Sequence, residues 1–388
     1  MMPCDQAGCS GRRGSGHGHC HGCGPQVTHR QTGLSLVELL VAVLIGLVGI
    51  LAMTQAYLMS EQFNRSTTGE GSAQTSGSIA LYTMERDLRM AGYGLSNSST
   101  LGCGIIDWYY DPNYSQSIDA TSLLPNIALA PVVITTSGND PDTISLMFSG
   151  APERMLPTQI TSFNAKSSEV TVDGTAGFHR DDLVMLVNTS GPTRCTLAKI
   201  TQVQPGPQKL QMNPGATAPY NPPAWGSFPG TYGSGDLILN LGTPSVRTYA
   251  ISNNKLRVTD SLLQAAGAAP LDIVDGIVDM RAQYGMDNGI SGSTANDGIV
   301  DQYTTVTPAN SAQWQQLLSI RLALLARAGN PEKPASGTNC DATTTPRTWS
   351  GGTFTRLDVA TPTSDDRCYR YRVFETVIPL RNMIWRPS

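Results

Sequence analysis

The chain has 388 residues, a length that suits one long domain or two, and a formal net charge of −4 at pH 7. Charged residues make up 14% of the sequence, below the usual share of about 25%. The acidic balance argues against a nucleic-acid-binding protein, and the 39 glycines and 25 prolines favour short strands joined by turns over a helical bundle.

The first 26 residues are rich in Gly, Cys and His, and Cys20 and Cys23 form a C-x-x-C pair that could hold zinc together with neighbouring imidazoles. Two other interpretations are open. Residues 27–33 alone form a short basic leader, so translation could begin at Val27, which we favour, and residues 1–26 would then be spurious. Alternatively, residues 1–26 are a translated part of the leader without a function.

A long apolar segment from Gln31 to Met59 follows, and Glu38 is its one charged residue. About 20 apolar residues at a rise of 1.5 Å each are enough for a helix to cross a bilayer. An acid inside such a helix costs about 2.5 to 3.5 kcal/mol, so it is normally paired and functional. No Lys or Arg lies between Gln31 and Asn64, and the partner must therefore come from elsewhere.

The residues from Gly33 to Leu40, G-L-S-L-V-E-L-L, resemble the prepilin signature of type IV pilins and type II secretion pseudopilins. The resemblance implies cleavage after Gly33 by a prepilin peptidase, which makes residues 1–33 a leader, and N-methylation of Leu34. It also implies that Glu38 pairs with a neighbouring subunit's amino terminus during filament assembly. Leu34 departs from the Phe usual in the family. An ordinary signal anchor or signal peptide is the alternative, although its apolar region rarely contains an acid.

The helix is predicted to continue more weakly to Gly94, with interruptions at Gly69, Gly71 and Gly77. Spacings of three and four predict an apolar face made of Leu81, Met84, Leu88 and Ala91. The opposite face is predicted to be charged and to consist of Glu85, Arg86, Asp87 and Arg89. The sequence M-E-R-D-L-R-M-A-G-Y-G, from Met84 to Gly94, resembles the helix end of PilW-type minor pilins.

From Cys103 onward the pattern is that of strands and turns. Hairpins are predicted at 131–136 with 143–148 and at 246–251 with 255–258, and single strands at 169–172, 182–187 and 196–203. The stretch from Gln204 to Gly235 is predicted to be an extended loop. Its aromatic residues either anchor the loop to its own domain or form a surface that binds a partner. They are Tyr220, Trp225, Phe228 and Tyr232.

Three later segments, at 273–284, 317–327 and 369–382, resemble the C-terminal half of PilW-type proteins, whereas residues 103–243 contain no motif that we can match. The expected class is α+β, with a long N-terminal helix at 34–94 packed on a large, mainly antiparallel β domain at 95–388.

Four cysteines remain after the predicted cleavage, and an even number in an exported chain suggests disulfides with three alternative connectivities. We favour Cys340 with Cys368, because the polar loop between them has few apolar residues to hold it, and Cys103 with Cys195. Free buried thiols are the alternative.

Evidence for chemistry in the sequence is sparse. Asp287, Asn288, Asp297 and Asp301 lie in a Gly-rich loop and are calcium candidates, although the EF-hand spacing is not met and solvated turn residues are the alternative. His179 is the one histidine after the leader, without a partner evident in the sequence. Nucleophile-elbow, Walker and dinucleotide patterns are not found, so neither an enzyme nor a cofactor is predicted.

These features together predict a minor pilin of the type IV pilus. It would be anchored in the inner membrane as a precursor, with its globular part in the periplasm, and then enter the filament. Residues 95–388 are bulky for a repeating subunit, which favours a role in initiating assembly at or near the tip. The expected partners are other minor and major pilins, the prepilin peptidase and the inner-membrane assembly platform. A type II secretion pseudopilin and a tip adhesin are the alternatives.

Overall fold

The computed structural model describes residues 35–95, 101, 103, 105–107, 129–151, 156–189, 194–214, 220–221, 228, 231–260, 269–332 and 339–384. The chain divides into two compact units, Met1–Met59 and Ser60–Ser388. Helix α1 (Leu36–Met90) begins in the first unit, and its second part belongs to the second unit with the β domain. The predicted α+β class is confirmed.

Two short helices, α2 (Ser311–Gln315) and α3 (Arg381–Ile384), accompany the strands. The strands are β1 (Ile105–Asp107), β2 (Val132–Ser137), β3 (Asp140–Phe148), β4 (Thr158–Asn164), β5 (Glu169–Val172), β6 (Leu183–Val187), β7 (Arg194–Lys199), β8 (Gln202–Gln204), β9 (Lys209–Gln211), β10 (Leu237–Gly242), β11 (Ser245–Ser252), β12 (Lys255–Asp260), β13 (Leu271–Asp275), β14 (Ile277–Met286), β15 (Gln302–Thr304), β16 (Leu317–Arg327), β17 (Thr348–Trp349), β18 (Gly352–Thr353) and β19 (Tyr371–Pro379).

Within the described residues these strands form four sheets. The largest has eight strands in the order β1-β7-β6-β10-β4-β5-β9-β8, and the next has five in the order β13-β12-β11-β3-β2. A four-stranded sheet has the order β15-β14-β16-β19, and β17 pairs with β18. Strand β1 is parallel to β7, whereas the other pairs are antiparallel, as short hairpin connections favour.

Both predicted hairpins are confirmed as β2–β3 and β11–β12, and Asn253 and Asn254 turn the second with φ angles of 53° and 58°. The segment 273–284 divides at Gly276 (φ 83°) into β13 and β14, which belong to different sheets. Two predicted elements are wrong in part. The segment 196–203 divides into β7 and β8, and β9 lies inside the predicted loop at 204–235.

Helix α1 is continuous from Leu36 to Met90, so the predicted interruptions at its glycines are wrong. Two of these glycines lie directly against the β domain. A Cβ at Gly69 would lie 3.2 Å from the Cβ of Ala328, and one at Gly77 would overlap the ring of Phe374 on β19. The absence of a side chain therefore allows close packing here, and tertiary contacts compensate for the low helix propensity of glycine.

The buried face of α1 packs into the main core, to which the five-stranded and four-stranded sheets and part of the eight-stranded sheet contribute. Its buried small and apolar residues are spaced by three and four and are Ala73, Gly77, Ala80, Met84, Leu88 and Ala91. The eight-stranded sheet has a second core of its own, which includes Val172, Leu186, Ile200 and Phe228. A third, smaller core covers the face of the four-stranded sheet that carries Ala323 and Leu325.

A buried charged cluster connects the β2–β3 turn to β14. Arg281 donates to the carbonyls of Gly138 and Asn139, at 2.9 and 2.8 Å, and its Nε lies 3.2 Å from Oδ1 of Asp279. The carboxylate of Asp142 accepts the N–H of Ala282 at 3.0 Å and lies 3.5 Å from Arg281. Burial raises the pKa of Asp142 and raises the pKa of the fully buried Asp279 from 3.8 to about 6, although Arg281 opposes both shifts.

The raised pKa of Asp279 predicts a pH-dependent stability. Because the folded state binds this proton more tightly than the unfolded state, the stabilisation is present at low pH and is lost as the pH rises through about 6. From about pH 5 to about pH 7, Asp279 should reduce the free energy of unfolding by about 1 kcal/mol. Thermal unfolding of the full chain in detergent should show this loss in the wild type and in the exposed control Asp173→Asn, but not in Asp279→Asn. Equal pH dependence in all three chains would contradict the assignment.

The packing of Gly77 predicts that Gly77→Ala destabilises the fold, although Ala is the better helix former. Overpacking against Phe374 costs about 1 to 3 kcal/mol, more than the gain of about 1 kcal/mol in helix propensity. Gly71 provides the matched control, because a Cβ there meets no atom within 4 Å. Thermal unfolding should therefore show a lower melting temperature for Gly77→Ala and an equal or higher one for Gly71→Ala. If both substitutions stabilise the fold, the ring of Phe374 can move aside without a loss of stability, and the prediction is wrong.

Candidate functional site

The N-terminal segment of α1, Leu36–Met59, presents exposed apolar side chains around its circumference. Those that are large and exposed are Leu36, Val37, Leu39, Leu40, Val41, Val43, Leu44, Ile45, Leu47, Val48, Ile50, Leu51, Met53, Tyr57, Leu58 and Met59. Within the described chain, α1 is the one helix that is long and apolar enough to cross a membrane. A helix that is apolar all round requires lipid or protein around it, so this segment is suited to a membrane and to packing against other helices.

Glu38 lies in the first turn of this segment, where the partial positive charge of the helix N-terminus favours an acid. The Oγ of Ser35 accepts the N–H of Glu38 at 3.2 Å, which is one half of the capping-box arrangement that the S-x-x-E spacing favours. The prediction that the acid needs a partner from elsewhere overlooked this second explanation, although the S-x-x-E spacing of Ser35 and Glu38 is visible in the sequence. The predicted cleavage and methylation sites, Gly33 and Leu34, lie outside the described residues.

The second part of α1 is held on the β domain by a buried carboxylate. Asp87 is fully buried and accepts hydrogen bonds from Nη1 of Arg247 at 2.5 Å and from the hydroxyl of Tyr249 at 2.6 Å, both on β11. Arg86 adds a contact of 3.2 Å from its Nε. Burial, together with the hydrogen bond to Asp87, raises the pKa of Tyr249, which therefore stays a neutral donor.

The prediction that Asp87 lies on the charged outer face is therefore wrong. Asp87 lies on the same face as Met84 and Leu88, because the helical spacing places these residues together and the side chains of β11 neutralise the carboxylate. A prediction based on the spacing of apolar residues places every acidic residue on the solvent-exposed face of the helix. The cationic partner, Arg247, lies 160 residues away in the sequence. Nothing local in the sequence indicates the pair.

The C-terminal end of α1 is capped by a residue from the end of the chain. The side-chain amide of Asn382 donates to the carbonyls of Arg89, Met90 and Ala91 at 3.4, 3.1 and 3.1 Å. The last carbonyls of a helix have no partner within it, and the amide satisfies them here together with the N–H of Tyr93, which donates to the carbonyl of Met90 at 3.1 Å. Gly92 has a φ of 78° and turns the chain away, as the predicted helix stop requires.

Two disulfides stabilise loops of the domain. Cys103, which follows the end of α1, is joined to Cys195 on β7. Cys340 is joined to Cys368, and together they close the loop that contributes Phe354 to the third core. Such a covalent bond stabilises a polar loop mainly by restricting the unfolded chain.

The calcium candidates hold their own loop together through backbone hydrogen bonds. The buried carboxylate of Asp287 accepts N–H groups from Asn296, Asp297 and Gly298, and Asp301 accepts that of Gly289 at 2.7 Å. The side-chain amide of Asn288 donates to Gln302. Across the described residues, no group of three or more His, Cys, Asp or Glu side chains is arranged to hold a metal ion.

His179 has a carboxylate nearby that the sequence did not reveal. The backbone N–H of His179 donates to Oδ2 of Asp182 at 2.8 Å, and the imidazole Nδ1 lies 3.7 Å from the same oxygen. The pair closes a turn ahead of β6, with the imidazole more than half exposed. The turn explains this geometry.

Comparison with known families assigns both ends of the chain. Residues 245–382 match the model of the type IV pilus-assembly protein W family (PilW), and residues 28–54 match the prokaryotic N-terminal methylation motif. No curated protein matches the chain, and neither does any solved structure. The first region extends from β11 to α3 and thus contains Arg247, Tyr249 and Asn382, whereas the second contains Glu38.

The two matches agree with the two parts of α1 described above. The methylation motif covers the start of the exposed apolar segment, and the PilW region supplies the side chains that hold the second part of the helix. The eight-stranded sheet lies outside both regions. The two matches together support a type IV pilin of the PilW family that is involved in pilus assembly.

Proposed function

We propose that the chain is a minor pilin that helps to initiate the filament and occupies a position at or near its tip. The observation that carries this proposal is the division of α1. One part is apolar on all sides and bears a single acid, while the other is fixed on the domain by buried polar bonds. A helix of this kind provides an assembly surface, and its docked part supports the domain.

In this proposal the apolar segment has two successive roles, as a membrane anchor and as a packing surface in the filament. It first anchors the precursor in the inner membrane with the β domain in the periplasm, because its length and composition suit a bilayer. After removal of the leader by a prepilin peptidase, the same side chains pack against the helices of other pilins on the assembly platform. Contacts that repeat without closing generate a filament.

Glu38 sets the register of this packing. An acid at this depth needs a cation, and its own segment contains no Lys or Arg. The new amino terminus of a neighbouring subunit provides the positive charge. A buried ion pair contributes more to specificity than to net stability, so the pair selects one axial offset between subunits.

The bulk of the domain supports a tip position. The eight-stranded sheet, with a core of its own, adds mass outside the region that matches PilW. A repeating shaft subunit would have to accommodate this mass at each step, whereas a sparse or terminal subunit would not. The PilW match also favours the pilus over type II secretion, whose pseudopilins share the N-terminal signature.

Cleavage of the leader by a prepilin peptidase would produce a defined mature amino terminus. Mass spectrometry of the chain purified from membranes or pili should find N-methyl-Leu34 as its first residue. Gly33→Glu should block cleavage and leave the leader attached, because the peptidase requires a small residue before the cut. A cut near Ala56, or an intact leader in the wild type, would overturn the proposal.

The role of Glu38 predicts that its charge, and not its capping ability, matters for assembly. Glu38→Ala and Glu38→Gln should each reduce the amount of the chain in sheared pili at least about tenfold, because the neighbour's amine loses its partner. Gln can still form a capping box, so it separates the two roles. Immunoblots of the pilus and membrane fractions measure the effect, and normal membrane levels show that the domain is folded.

Glu61→Gln is the control, since Glu61 is an exposed acid on the same helix that pairs with Arg65 four residues later. Such surface pairs contribute little, and this variant should enter pili normally. If Glu38→Gln also enters pili at the wild-type level, the acid serves as a helix cap and the register argument is wrong.

A further inference from the structure

A cleft of about 180 Å³ lies where the second part of α1 meets β19 and the disulfide-closed loop. The residues that line it are Glu70, Ala73, Arg347, Arg370, Tyr371 and Arg372. Three of these six side chains are guanidinium groups, and they come from two separate segments of the PilW region. Such a concentration of like charge in a small concave space calls for anionic partners.

One of the three arginines has its partners within the chain. Nε of Arg370 lies 2.5 Å from Oε1 of Glu332, and its Nη1 lies 3.3 Å from Oε1 of Glu70. The hydrogen bond to Glu332 raises the pKa of Arg370, which stays protonated. This arginine closes one side of the cleft by connecting α1 to the segment before β19.

The other two arginines are not neutralised by the part of the chain that the structure describes. Neither Arg347 nor Arg372 forms an ion pair there, and Nε of Arg347 is buried without a hydrogen-bond partner. An unsatisfied buried donor on a charged group is unfavourable, and in native proteins such groups usually have a ligand or another specific explanation. With the two glutamates included, the five charged groups retain one net positive charge.

We propose that this cleft, the Arg347–Arg372 cleft, binds a carboxylate side chain of a neighbouring pilin subunit. A guanidinium matches a carboxylate with two parallel hydrogen bonds, so two unpaired arginines in one cleft suit such a group. The proposal depends on the proposed function, because Glu70 and Ala73, which form one wall of the cleft, belong to the docked part of the helix whose N-terminal segment packs among other subunits in that proposal. The Cys340–Cys368 disulfide restrains the loop that carries Arg347.

Charge variants of Arg372 test the cleft in the full chain. Arg372→Glu should appear in membranes with a processed amino terminus, yet be reduced at least about tenfold in sheared pili, because it repels the partner's acid. Arg372→Lys keeps the charge and should enter pili at close to the wild-type level. Arg180→Glu is the control, since Arg180 is a largely exposed arginine near β6, remote in sequence from the cleft. Normal entry of Arg372→Glu would overturn the proposal.

A zero-length cross-link identifies the ligand. In pili that contain Arg372→Lys, a carbodiimide should couple the introduced amine to an Asp or Glu of another pilin, and mass spectrometry should find the joined peptides. Coupling only to Glu70 or Glu332 would show that the cleft is satisfied internally. Absence of a cross-link to any pilin, with Arg372→Glu still lost from pili, would indicate a lipid phosphate instead and overturn the carboxylate assignment. Absence of the wild-type chain from pili would refute the proposed function and leave no role for the cleft.

Discussion

The carboxylate of Asp87 determines where α1 lies on the domain. A buried charge is tolerated only where its partners reach it, and here both partners, Arg247 and Tyr249, project from β11. A shift of the helix by one turn, about 5.4 Å, would leave the carboxylate buried and unpaired. Phe374 at Gly77 and Asn382 at the helix end enforce the same register from two further positions. The docked part of α1 therefore has one allowed position.

This constraint explains why one continuous helix contains two kinds of glycine. A Cβ at Gly46 or Gly49, in the apolar segment, would meet nothing within 4 Å, whereas Gly69 and Gly77 lie against the β domain. In the docked part, glycine allows the helix to approach the sheets, and tertiary packing offsets its poor helix propensity. In the apolar segment, no contact with the described part of the chain requires glycine. The small surface at Gly46 and Gly49 remains available to neighbouring helices, which pack closely at small residues.

The sequence predicted those features that depend on neighbouring residues. The apolar segment with Glu38 and the Asn253-Asn254 hairpin both follow from local periodicity or turn preference. The missed features join distant parts of the chain. Asp87 and Arg247 are 160 residues apart, and Glu70 and Arg370 are 300 apart. A charged residue carries no local sign of such a partner, so Asp87 was assigned to solvent and the Arg347–Arg372 cleft was not anticipated.

The core into which α1 packs is distinct from the second core of the eight-stranded sheet. The side chains that form hydrogen bonds to α1, Arg247, Tyr249 and Asn382, lie within the PilW region, whereas the eight-stranded sheet has a second core around Val172, Leu186 and Ile200. Because these residues form a separate core, we expect substitutions among them to leave the hydrogen bonds that hold α1 intact. The Cys103–Cys195 bond is one covalent connection between the end of the helix and this sheet. A pilin built in this way can change its exposed mass without altering the geometry with which its helix enters a filament.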